Sequence, residues 1–216
     1  MRLTVLIAVL VVGAFTLAGC TPSPPVPVVP SIRWQSEGTS ALETDPSVVA
    51  VREADLGLQL AANSRNFMQP SFVDTRTDRL ARGFYDNWYG TYVTRQRDPL
   101  VQPGPSIWLP VSVTPSAGGG SVVVVCDASD EWFVTAEHEP TYDLSQGWLL
   151  AMTVESSDDG RLVLSDRQIS TDACDATGAP VGVFDPAPTL LVTITEADVV
   201  TFDVPNPNRS GAPAKN

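Results

Sequence analysis

Histidine occurs once in this chain, at His138, and lysine once, at Lys215. Any Ser-His-Asp or Cys-His scheme would therefore have to run through a single imidazole. That imidazole lies in Ala136-Glu137-His138-Glu139-Pro140, which reads as a solvated acidic loop. No Gly-x-Ser-x-Gly elbow is present. The small-residue turn from Ser116 to Gly120 lacks the lysine and the helix that phosphate binding needs. Positive charge is scarce: 13 basic residues stand against 25 acidic ones, a formal charge of -12. A field of that sign opposes nucleic acid and anionic lipid as electrostatic partners. Cysteine is scarce too, with three in 216 residues. Carboxylates do cluster, at Asp127, Asp130 and Glu131 and again at Glu137, Glu139 and Asp143. Hard cations take such ligands, but the Asp-x-Asp-x-Asp-Gly loop of a calcium site is missing. No catalytic residue, cofactor or metal is assigned.

The most specific pattern present is at the N-terminus. One positive charge, Arg2, precedes an almost wholly apolar run from Leu3 to Leu17, and Leu17-Ala18-Gly19-Cys20 closes it. The run has the length of a signal-peptide core and is shorter than the roughly 20 residues of a membrane-spanning helix. These four residues resemble the lipobox of bacterial lipoproteins. In that family the cysteine thiol carries a diacylglyceryl group and cleavage makes the cysteine the new N-terminus. The resemblance implies residues 1–19 as signal peptide, lipid attachment at Cys20, the membrane as partner, and a position on the extracytoplasmic face of the cell membrane. Arginine in place of lysine, with abundant Ala, Val, Pro and Asp, suggests a GC-rich genome of the actinobacterial type. Residues 20–45, with Pro22, Pro24, Pro25, Pro27 and Pro30, read as a proline-rich tether favouring extended geometry. Cys126 and Cys174 remain. An exported chain meets an oxidising compartment, so the simplest account is a disulfide between them. Closing a loop of about 49 residues stabilises by about 4 kcal/mol in the chain-entropy relation. Two distant cysteines and one histidine are too few for a zinc site.

Asp45-Pro46 is a helix start, with Asp as N-cap and Pro at the first helical position. Val48, Val51, Ala54, Leu58, Ala61 and Ala62 then recur at three and four, which predicts a helix over 47–63. Gly57 weakens it. After a break at 66–71, a second helix is expected over 74–94. Leu80, Phe84, Trp88 and Tyr92 form its stripe, Tyr85 and Tyr89 lie beside it, and such a stripe reads as core. Beyond Pro99 the periodicity changes to that of strands. Expected strands are 107–113, with Pro110 arguing for an edge, the valine run 121–126, buried on both faces, 147–155 and 161–169. Asp158-Asp159-Gly160 is a hairpin turn between the last two. A late hairpin is expected from Leu190–Ile194 and Val199–Val204, then a disordered tail.

Helices placed before an antiparallel sheet make an α+β domain over residues 46–175, followed by a C-terminal extension, 176–216. The run Val122-Val123-Val124-Val125-Cys126-Asp127, Trp148, the Asp159-Gly160-Arg161 turn and the closing Cys174 resemble the nuclear-transport-factor-2-like (SnoaL-like, cystatin-like) cone. That resemblance implies N-terminal helices on a curved antiparallel sheet. The expected function is a non-enzymatic binding or scaffold domain at the cell envelope, taking an envelope protein or a small apolar ligand. The alternative implied by the cone is a pocket isomerase or hydrolase; Tyr85, Asp86, Tyr89 and Asp127 have the right chemistry for it in principle, but none matches a catalytic motif of the family and none is carried over. A phage- or prophage-encoded envelope protein that excludes related phages is a further alternative.

Overall fold

The Asp45 carboxylate accepts the Ser47 amide at 2.8 Å and Pro46 opens the helix, so α1 runs over Pro46–Ser64. It ends at Arg65, which turns into left-handed backbone with φ 57°. The computed structural model describes residues 29–191 and 193–200; Cys20 and the expected signal peptide lie outside them. α2 is a single turn, Pro70–Val73, and α3 runs over Asp78–Tyr89 into a wider turn at Gly90–Thr94. The expected second helix therefore starts four residues late. Residues 75–77 bond to the sheet edge instead: the Leu164 amide donates to the Thr75 carbonyl and the Thr77 amide to the Leu164 carbonyl. Thr77 then caps α3 through its side chain.

Six strands form among the described residues: β1 (Ser31–Ser36), β2 (Trp108–Pro115), β3 (Ser121–Asp127), β4 (Gly147–Ser156), β5 (Leu162–Cys174) and β6 (Val181–Asp185). β2-β3-β4-β5 make a curved antiparallel meander, and β1 pairs with β6 in a separate ribbon. The fold is thus mixed α and β, with few helices on a curved four-stranded sheet. Pro110 sits on the edge strand β2, beside a register shift, where a missing amide is tolerated. α1 lays Val48, Ala50, Val51 and Ala54 on one face of the sheet, against Trp108, Val123, Val125, Leu150, Met152 and Val154. The valine run is buried on both faces only at its Cys126 end, where Ile107, Trp132 and Ala176 cover the second face. Val123 and Val125 are fully buried under α1, whereas Val122 and Val124 on the opposite face are half-buried, because only one face carries a helix.

A second cluster centres on Phe67, whose ring lies 5.0–5.3 Å from those of Phe72, Tyr85 and Trp88. The aromatic stripe of α3 packs here as core, together with Ile194 and Val199 from the C-terminal extension. Residues 31–36, read as tether, are a strand, and residues 181–185, in the extension, are its partner. Packing therefore continues across both expected boundaries, at 45 and at 175. No hairpin strand forms at residues 190–191 or 193–194. Val200 instead makes a bridge to Asn66, and residues 201–204 lie outside the described residues. The strand that does form, Val181-Gly182-Val183-Phe184-Asp185, is bounded by Pro180 and Pro186, and its partner is about 150 residues away in sequence.

A cleft at the disulfide end of the sheet

Cys126 and Cys174 are bonded, with Cα atoms 5.8 Å apart. They belong to β3 and β5, which are not neighbours, so the bridge reaches past β4. Gly147 of β4 pairs with Cys174, and a Cβ there would lie 2.8 Å from the Cys126 sulfur. Glycine at this position leaves room for the bridge. Beside it opens a cleft of about 380 Å³. Its walls include Asp130, Glu131, Tyr142, Asp143, Gln146 and Trp148, and among the described residues no basic one lines it.

Most of the wall groups have a partner. Trp148, 44% exposed, donates its indole N–H to Asp130 Oδ2 at 2.9 Å. Tyr142, 43% exposed, meets Trp132 edge to face at 5.5 Å. Trp132 is buried and fixed by its indole N–H on the Pro105 carbonyl at 3.0 Å. Asp143 accepts from the Ser145 hydroxyl at 2.7 Å, the Ser145 amide at 2.9 Å and Gln146 Nε2 at 2.9 Å. These bonds, the Ser145 hydroxyl foremost, hold its carboxyl below the usual carboxylate range. His138 lies just outside the lining, stacked on Phe133 at 4.5 Å and 3.5 Å from Glu131 Oε2.

The acidic cluster read from the sequence is therefore split. Asp130, Glu131 and Asp143 line the cleft, Glu137 and Glu139 do not, and Asp127 serves a different region. Among the described residues no three His, Cys, Asp or Glu side chains are grouped to hold a metal.

Asp127 belongs to a polar seam between α1 and the sheet. It accepts the Ser129 amide at 2.9 Å and lies 3.7 Å from Arg167. Burial pushes its carboxyl above the usual range, and nearby Asp55 adds to the shift. Asp55 accepts from the Ser106 hydroxyl at 3.2 Å, and Ser106 in turn accepts from Gln59. Arg76, only 3% exposed, donates one amino group to the Ala54 carbonyl and stacks on Phe72 at 4.0 Å. Its Nε and Nη1 meet no acceptor among the described residues. Burial lowers its pKa to about 9. A cavity of about 10 Å³ lies between Arg76, Arg167 and Asp55, room for one water. The other candidate acid-base groups do not join Asp127. Tyr85 and Tyr89 belong to the aromatic cluster and Asp86 is exposed. Comparisons with protein-family models, with curated proteins and with solved structures each found no match for this chain.

Reading the sequence missed Asp55, Arg76 and Arg167 as a group, and missed the joining of Trp148 to Asp130. Arg76 and Arg167 are 91 residues apart and carry no shared motif. One signal was available for the cleft: Trp148 follows a glycine at the start of a strand, where an aromatic side chain faces outward beside the loop.

Proposed function

We propose that this protein is an exported lipoprotein, held by a lipid on Cys20 at the extracytoplasmic face of the cell membrane, whose domain is a non-enzymatic binding module. The observation that carries the reading is Leu17-Ala18-Gly19-Cys20 after an apolar run. The Cys126–Cys174 bond supports it, because such bonds persist in oxidising compartments. The position of β1 supplies a dimension. Only eleven residue steps separate Cys20 from Ser31, so the chain between anchor and domain can span at most about 40 Å. The domain then works close to the bilayer. α1 across a curved meander supports the nuclear-transport-factor-2-like cone as the finer fold, built here without an open interior. The internal cavity holds about one water, whereas the cleft beside the disulfide is of ligand size. That contrast favours binding at the outer cleft over chemistry in the seam.

The test is fractionation and lipid labelling of the full chain in a lipoprotein-processing bacterium. The natural chain is expected in the membrane fraction with label, and Cys20→Ala without label. Equal labelling of both chains would overturn the anchor.

A further inference from the structure

The cleft at the disulfide end joins features that seldom coincide by packing alone. Its two exposed aromatic rings face a cavity of about 380 Å³, although large apolar groups are normally covered in a folded domain. Both rings are fixed, Trp148 by Asp130 and Tyr142 by Trp132. Three carboxylates share the walls, and no basic side chain among the described residues joins them there. At the floor the disulfide and Gly147 meet at close range. A ring face attracts a cation through its quadrupole, and carboxylates fixed nearby add charge complementarity.

We propose that this cleft binds a basic peptide segment of a partner protein, seating an arginine or lysine side chain. The apolar stem would lie along Trp148 and Tyr142, and the charged head would meet Asp130, Glu131 and Asp143. Arginine fits best, because its flat guanidinium both stacks on a ring and pairs with a carboxylate. The assignment deepens the binding reading above and rests on it, since it names the chemistry of the partner.

The probe is the capped tripeptide acetyl-Ala-Arg-Ala-amide, titrated to about 20 mM against the full chain in detergent, since one seated side chain binds at millimolar strength. The readout is the indole N–H resonance of Trp148, assigned by its disappearance in Trp148→Phe. The other four tryptophans report on the fold. A saturable shift confined to Trp148 and its surroundings is expected. The glutamine peptide acetyl-Ala-Gln-Ala-amide is expected to give none. Asp130→Asn with Glu131→Gln is expected to weaken the arginine peptide about fivefold while leaving the other indole signals in place. Equal shifts from both peptides, no saturation, or shifts centred elsewhere would overturn the proposal. So would maltose moving the Trp148 signal when the arginine peptide does not, which would make the cleft a sugar platform. Lipid labelling of Cys20, read on the same protein, keeps the two readings apart. A silent cleft on a labelled chain sinks the cleft alone, and a responsive cleft on an unlabelled chain sinks the anchor alone.

Discussion

Asp159 shows how much one turn residue can organise. Its carboxylate accepts from the Ser157 hydroxyl at 2.5 Å and from Arg161 Nε at 2.7 Å, closing the hairpin between β4 and β5. Those bonds, Ser157 first, lower its pKa from 3.8 to about 2. The ionised form is the one the fold favours, so its contribution is present above about pH 4 and is lost as pH falls toward 2. Asp159→Asn is expected to remove that contribution. Thermal midpoints at pH 6 and pH 2.5 should fall further apart for the natural chain than for the variant. An equal fall would mean that the bonds persist on protonation. Arg76 is the opposite case at the same scale. A guanidinium buried with two N–H groups unmatched among the described residues costs stability, and its stacking on Phe72 and its bond to the Ala54 carbonyl offset part of that cost.

At the scale of the element, α1 carries a glycine that helix propensity alone would replace with alanine. A Cβ at Gly57 would lie 1.8 Å from the Ser71 carbonyl oxygen, in the backbone turn of α2. The close approach of α2 to α1 depends on that missing methyl. Gly57→Ala should therefore lower stability by about 2 kcal/mol despite a propensity gain of about 1 kcal/mol, because a backbone oxygen cannot swing aside. Urea unfolding decides it, and a variant as stable as the natural chain would show that α2 shifts freely. α3 obeys the same logic in reverse. Its stripe of Leu80, Phe84 and Trp88, continued by Tyr92 in the turn that follows, was legible as a helix face, and the partly buried side chains pack against the first two core clusters. Its start was not legible, because residues 75–77 are claimed by the edge of β5.

On the scale of the whole molecule, two long-range ties close the chain on itself. The disulfide joins β3 to β5, and the β1–β6 ribbon brings residue 31 beside residue 185. Removing the first tie with Cys126→Ser and Cys174→Ser should cost about 4 kcal/mol of unfolding free energy, measured in denaturant against the oxidised chain. That is a large share of the roughly 5–15 kcal/mol a domain of this size holds. A loss below about 1 kcal/mol would mean that β4 and the packing around Trp132 already fix this end. The second tie explains why the C-terminal extension is part of the domain: Val181 and Phe184 are buried, and Ile194 and Val199 complete the aromatic cluster.

The sequence by itself determined what neighbouring residues can settle. Asp45-Pro46 starts a helix and Asp158-Asp159-Gly160 turns a hairpin, because caps and turns are satisfied within a few residues. Three of the four meander strands were visible within two residues of their ends, whereas β5 runs to Cys174, five residues beyond the expected end; the two cysteines left for a disulfide do pair. Only the tertiary structure decided that Ser31–Ser36 is a strand, since its hydrogen-bond partners come from Val181–Asp185 at the other end of the chain. It alone decided that Val123 and Val125 are fully buried while Val122 and Val124 are only half-buried, because that depends on where α1 lies. The cleft belongs to the same class. Asp130 and Tyr142 sit on the long connection between β3 and β4 and Trp148 at the start of β4, and no local rule brings them together. The register of β3 on β4, which places Asp127 opposite Trp148, does so.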